Sequence, residues 1–386
     1  MNQESQLIIC ALRKAVAGTE EALCLDVNWS DFLELAQAHM LLPLMYDGLH
    51  RDPGDWSRIP ENVKKILTNA FLQAVCMDTR LDMVRQQLEQ KLTQADIPYI
   101  FLKGAVLKHD YPTPAFRTMC DMDVLVHIAD FSKIAAISES IGGKLIHSDG
   151  NHRNYGFPNG IAVEFHPNLI HQDAHVGSGI NPGWQYAAAD HPHKLTEEGC
   201  YLHTICHMAH HFAYGGVGVR FVLDVWVSCH LHKPQPDREK VEKELERLGL
   251  LEFTENIEAL AEWWFGQGEG SPLLEELEAY ILTSGSHGHT GRSMLNAVSL
   301  STSGTGRSAI LRRVFYSRED MEARFPWCSG KPWLLPLAWC VRAFRALTKH
   351  GNFVWEWGRG TMAVSKADAV KQKNKLARFG IRLNDK

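Results

Sequence analysis

The sequence is short of net charge. Its 386 residues carry 40 Lys and Arg against 45 Asp and Glu, a formal charge of −5 with the 20 histidines neutral. A near-balanced chain makes no global basic field for gripping long nucleic acid, so nucleic acid is not indicated as a partner. The one local exception is a C-terminal region holding Arg312, Arg313, Arg342 and Arg345. Long apolar runs are also missing. The longest near the end, Pro332 to Cys340, falls well short of the ~20 residues that span a bilayer. An amphipathic, partly buried helix is expected there, and no integral membrane contact. The opening MNQESQLIICALRKAV lacks the basic start and small-residue cleavage site of a secretory leader. Paired cysteines are absent too: the nine are odd in number, scattered, and never in a CxxC pair. That argues against a disulfide framework and a cysteine zinc module, and points to a reducing cytoplasm. No internal repeat of 20 to 50 residues is found.

What is present suits an ordinary globular protein, with 45% hydrophobic and 22% charged residues and enough length for two or more sub-domains. Residues 1–95 read as a helical region. Apolar residues recur at helical spacing in Ile8-Ile9-Ala11-Leu12 and Phe32-Leu33-Leu35-Ala36, with Ser30 as an N-cap. Pro53-Gly54-Asp55 reads as a loop and Glu61 to Ala95 as a long helix. At Ile97 the period changes to two. Residues 98–102 and Asp121 to Val126 read as strands, separated by a short helix over 105–110 and the breaker Tyr111-Pro112-Thr113-Pro114. A helix over 130–141 ends at Gly142-Gly143. Three further strands, Lys144-Leu145-Ile146-His147, Tyr155-Gly156-Phe157 and Ile161 to His166, are divided by turns at Asp149-Gly150 and Asn159-Gly160. Helices return near 196–213, 218–232, 237–248, 252–266 and 273–284. Ser284 to Ser308 reads as a linker, followed by two more helices and a basic tail. The expected fold is α+β: a small mixed-sheet core over 96–170, between helical regions at 1–95 and 171–386.

Asp121 and Asp123 stand two apart on one strand, so both carboxylates leave the same face, with Met122 and Val124 turned to the core. An acidic pair opening an apolar strand is costly unless a cation or solvent satisfies it. Glu164, inside Ile161-Ala162-Val163-Glu164-Phe165-His166, repeats the pattern: Glu164 and His166 share one face. If the two strands are neighbours, three carboxylates converge, a donor set that favours Mg²⁺ or Mn²⁺ over zinc. The Asp-x-Asp pair by itself also suits a solvated strand end. Lys103-Gly104 follows an apolar strand and opens a short helix. The glycine lets a phosphate approach the backbone and the lysine adds a point charge for a triphosphate, although the pair also suits an ordinary strand-to-helix turn. Arg117, four residues before Asp121, either reaches the same pocket or lies on the surface. Replacing Asp123 by Asn is expected to relieve repulsion from Asp121.

Leu102-Lys103-Gly104-Ala105, Tyr111-Pro112, Arg117, Asp121 to Val126 and Val163-Glu164-Phe165-His166 together resemble a poorly characterised nucleotidyltransferase family of the polymerase-β-like superfamily. Weaker similarity touches Ala36 to His39, Pro43-Leu44, His203 to His207 and Arg220 to Asp224. The resemblance implies transfer of an NMP from an NTP, ATP favoured, to the hydroxyl of an unidentified acceptor, with release of pyrophosphate. It implies two Mg²⁺ ions, with Mn²⁺ possible, on Asp121, Asp123 and Glu164, and the triphosphate on Lys103 and Gly104. One departure stands out: the wider superfamily has Gly-Ser or Gly-Gly at the turn, where this chain has Lys-Gly.

Two alternatives remain. His203, His207 and His211 are spaced by four on one helix, with His210 beside them and Asp224 on the next. Such a stripe can hold zinc, which would make a His-rich metal-dependent hydrolase. The HExxH pattern is missing, since position 204 is Thr. A nucleotide-binding protein without transfer activity is the other.

Overall fold

A computed structural model describes residues 1–119, 121–149, 152–158, 160–170, 176–285, 288, 290–301 and 303–382. Five helices lead: α1 (Gln3–Ala17), α2 (Trp29–Ala38), α3 (Leu42–His50), α4 (Pro53–Arg58) and α5 (Glu61–Gln94). Two local readings are corrected. The side chain that caps α2 is Asn28, accepting from the Ser30 amide, so Ser30 lies inside the first turn. Pro53-Gly54-Asp55 is not a loop but the start of α4. Asp52 caps it and Pro53 takes the first helical position, where a missing N–H costs nothing.

The sheet follows: β1 (Tyr99–Leu102), β2 (Asp121–Val126), β3 (Lys144–Asp149), β4 (His152–Gly156) and β5 (Ala162–His166), with α6 (Gly104–Leu107), a 3₁₀ turn (Lys108–Asp110) and α7 (Phe131–Ser140) between the early strands. The turn positions Gly150 and Asn159 lie outside the described residues. Strand order is β1-β2-β5-β4-β3. β2 and β5 run parallel and the other pairs antiparallel, so the sheet is mixed. The fold is α+β, with helical regions on both sides of the sheet in sequence.

Alternation sorts the sheet into two faces. Tyr99, Phe101, Met122, Val124, Val126, Val163 and Phe165 pack on one side with Leu81, Val84, Leu88 and Leu92 of α5 and Phe131 and Ile134 of α7. Ile100, Leu102 and Leu125 point to the other side. There they join a second core, formed with α1 to α3 and the helices that follow the sheet. These are α8 (Glu197–Tyr214), α9 (Val219–His230), α10 (Arg238–Leu248), α11 (Leu251–Phe265) and α12 (Pro272–Leu282). The face that carries the acidic residues is therefore the one the later helices cover.

Beyond α12 the expected linker is itself structured. It contains α13 (Thr290–Ser299) and the start of α14 (Gly306–Val314). The buried Asn296 donates to Ala213 O at 3.0 Å, and Gln372 donates to Asn296 Oδ1 at 2.8 Å, which ties a Ser/Gly-rich stretch into the body. Not two but three helices come after α14's start: α15 (Arg318–Arg324), α16 (Leu335–Ala363) and α17 (Lys366–Arg378). Among the described residues no helix is long and apolar enough to cross a membrane. The eight described cysteines are free thiols.

Candidate functional site

The parallel pairing of β2 with β5 sets Asp121 beside Ala162 and Asp123 beside Glu164. Because Met122, Val124, Val163 and Phe165 fill the opposite core, Asp121, Asp123, Glu164 and His166 share the helix-covered face. Asp121 is exposed at the strand start, Asp123 is buried, and Glu164 and His166 are half-buried.

His166 is a residue the sequence placed on this face without a role. Its Nε2 lies 2.8 Å from Asp123 Oδ1 and 3.4 Å from Glu164 Oε2. Asn154, on β4, donates to Glu164 Oε1 at 2.5 Å. Among the described residues, Asp123, Glu164 and His166 are the one group of three whose ligand atoms all lie within 4.8 Å of one another. The signal for His166 was its spacing of two from Glu164; what it touches depended on β2 arriving alongside.

Lys103 completes the cluster, with Nζ 3.0 Å from Asp123 Oδ1. Its backbone sits at φ 51°, ψ −127°, a conformation suited to glycine and strained for a lysine. Gly104 is required by close approach: a Cβ there would stand 2.4 Å from Arg117 Nη1 and 2.8 Å from Met119 Sδ. α6 is a single turn, so few peptide dipoles add at its start. Any phosphate held here would feel the charge of Lys103 more than the helix end.

The electrostatics follow from this packing. Burial pushes Asp123 up, but the Lys103 charge and the His166 hydrogen bond outweigh it and hold the carboxyl well below the usual range. Burial, and then the neighbouring Asp123 charge, raise Asp121. The His166 hydrogen bond lowers Glu164. His166 itself is pushed down by burial and, more strongly, up by its bonds to Asp123 and Glu164. Two adjacent carboxylates on one strand thus shift in opposite directions.

Arg117 is not the surface arginine of the simpler reading. Its guanidinium is buried in a fork on Asp224, with Nε to Oδ1 at 3.1 Å and Nη2 to Oδ2 at 2.7 Å. Tyr111 donates to the same Oδ1 at 2.6 Å. Arg220 donates to Thr118 O at 2.8 Å, bracing the segment before β2. Asp224 on α9 therefore serves Arg117 and Tyr111, not the histidine stripe. In that stripe, burial drives His203 down to about 3, and its Nε2 lies 3.2 Å from Leu169 O. Burial, with the charge of Lys103, also drives His207 well down, and its Nε2 stands 3.0 Å from that of His211. No third ligand joins this pair among the described residues.

No curated protein and no solved structure matches the chain. A family model described as an uncharacterised nucleotidyltransferase does match, over residues 26–266, from α2 through the sheet to the end of α11. The chain belongs to this family of uncharacterised nucleotidyltransferases.

Proposed function

We propose that the chain is a polymerase-β-like, metal-dependent nucleotidyltransferase. It moves an NMP from an NTP, with ATP the favoured donor, to an acceptor hydroxyl. The observation that carries the reading is the side-by-side register of Asp123 and Glu164 on parallel strands, with Lys103 and His166 converging on Asp123.

The residues fit a divalent cation. Asp123 and Glu164 offer hard oxygen donors within 4.8 Å of each other, and Asp121 offers a third from the exposed end of the same face. Mg²⁺ suits such oxygens; the nearby imidazole of His166 suits Mn²⁺ at least as well. Asp121, Asp123 and Glu164 would hold the metal, two ions in the full arrangement. Metal ions at such a site neutralise charge on the phosphates and on the entering and leaving oxygens.

The chain's own groups supply position and charge. Lys103 sits where a triphosphate would meet the turn, and Gly104 lets that turn pack closely against Arg117 and Met119. Arg117, fixed by Asp224, packs against Gly104 and positions that turn. The acceptor oxygen bonds to the α-phosphorus as the α–β bridging P–O bond breaks, and pyrophosphate leaves with the electron pair. The acceptor proton passes first to Glu164, which is half-exposed and can release it to water. The test is intact-mass spectrometry of the protein and of candidate hydroxyl acceptors after incubation with each NTP and Mg²⁺ or Mn²⁺. An added mass of one NMP is expected. The reading falls if well-folded protein neither transfers nor shows metal-dependent NTP binding.

A further inference from the structure

Beside the acidic cluster lies a cleft of about 120 Å³ between the sheet and α8. Lys103 and His166 form its sheet side, Asn168 follows on the segment after β5, and His207, His210 and His211 form its α8 side. Every one of these side chains offers a nitrogen donor, and among the described residues no carboxylate lines the cleft. The metal-holding carboxylates meet the cleft through His166 and Lys103, both of which contact Asp123.

The histidines are unusual in their surroundings. His207 is deeply set, stacked at 5.8 Å on Phe221, and its Nε2 meets the imidazole of His211. The Lys103 charge is felt on α8, since it disfavours protonation of both His203 and His207. A pocket lined by nitrogen donors, with a lysine on one wall, recognises an anion.

We propose that this cleft is the polyphosphate subsite, with His207, His210 and His211 of α8 as its wall opposite Lys103. The inference rests on the nucleotidyl-transfer reading and deepens it. The β- and γ-phosphates of the donor, and afterwards pyrophosphate, lie between the turn and α8. This gives the α8 histidines a binding role in place of the zinc role their spacing first suggested. It also accounts for a lysine where a smaller residue would serve the turn better.

The probe is inorganic tripolyphosphate, which removes any dependence on the base, titrated calorimetrically into the full chain with Mg²⁺. Two variants, His210→Gln and His211→Gln, are compared with wild type, each with its melting curve. His207→Gln is added as a third, with the same melting curve. We expect each folded variant to bind tripolyphosphate about tenfold more weakly, with Mn²⁺ affinity unchanged. Folded variants that bind tripolyphosphate like wild type overturn the inference. So does a rise in the KM for acceptor alone, which would assign the wall to the acceptor. Wild-type protein that transfers NMP but shows no histidine-dependent polyphosphate binding sinks the subsite and leaves the transferase reading intact. Histidine-dependent polyphosphate binding without any transfer sinks the transferase reading instead.

Discussion

Lys103 Nζ lies 3.0 Å from Asp123 Oδ1, on a residue whose own backbone is held at φ 51°. The turn thus accepts backbone strain at the residue that neutralises the most buried acid of the site. Lys103→Gly should relax the backbone, and Lys103→Ala should not, although both remove the charge. The glycine variant is expected to be more stable than the alanine variant by about 1 kcal/mol. Both should weaken NTP binding at least tenfold. Urea melts and calorimetry on the pair check this; equal stability would remove strain from the account.

Asp123→Asn tests the acid directly. The sequence alone suggested relief of repulsion from Asp121, but the contacts with Lys103 and His166 reverse the sign. Asp123 is held ionised by its surroundings, so its charge contributes stability above the ordinary carboxylate pKa, and that contribution is lost as pH falls. The variant should lose about 1–3 kcal/mol of stability. Transfer should fall by orders of magnitude, since each ~1.4 kcal/mol of lost charge stabilisation is tenfold. Melting temperature and NMP labelling, measured side by side, separate the two effects. A variant that labels at the wild-type rate would end the assignment.

Gly104→Ala should disable the turn through Arg117. The new Cβ would stand 2.4 Å from Arg117 Nη1, and that guanidinium cannot move without leaving its fork on Asp224. A loss of about 1–3 kcal/mol is expected, with a matching loss of activity. Arg117→Lys in the same chain removes the clash and should recover part of the stability lost to alanine. Additive losses in the double variant, read from denaturant melts, would show that the two residues do not act through each other.

His232 predicts a pH dependence away from the site. It bridges Asp110, at 2.8 Å, and Glu197, joining the 3₁₀ turn after α6 to the start of α8. Those hydrogen bonds raise it to about 9 against the opposing effect of burial. A raised histidine stabilises the fold fully below its unfolded pKa near 6.5 and stops doing so as pH climbs through about 9. Wild-type stability should therefore decline by up to ~2 kcal/mol between pH 7 and pH 9.5, after allowance for the partial exposure of Glu197. His232→Gln should flatten that decline; chemical melts across the range show it.

Much of the fold was readable from periodicity. The switch from 3.6 to two at Ile97 and back after His166 marks the sheet, and β2 and β5 fall where alternation puts them. The misreadings have local causes. Asn28, Ser30 and Asp31 all suit the start of α2, and only the backbone decides which one caps it. Ser284 to Ser308 has linker composition, yet Asn296 finds partners on α8 and α17, and such long-range hydrogen bonds leave no compositional trace.

Strand alternation alone put Asp121 and Asp123 on one face, Glu164 and His166 on another strand's face, and Met122, Val124, Val163 and Phe165 in the core, because side-chain direction on a strand is a local property with a period of two. Which strands became neighbours was decided by the sheet, and with it the meeting of Asp123, Glu164, His166 and Lys103. The same holds for Arg117 and Asp224, 107 residues apart. Nothing near Arg117 in the chain distinguishes a surface arginine from a buried one. Burial against Gly104, and the cost of an unpaired charge there, made Asp224 its partner.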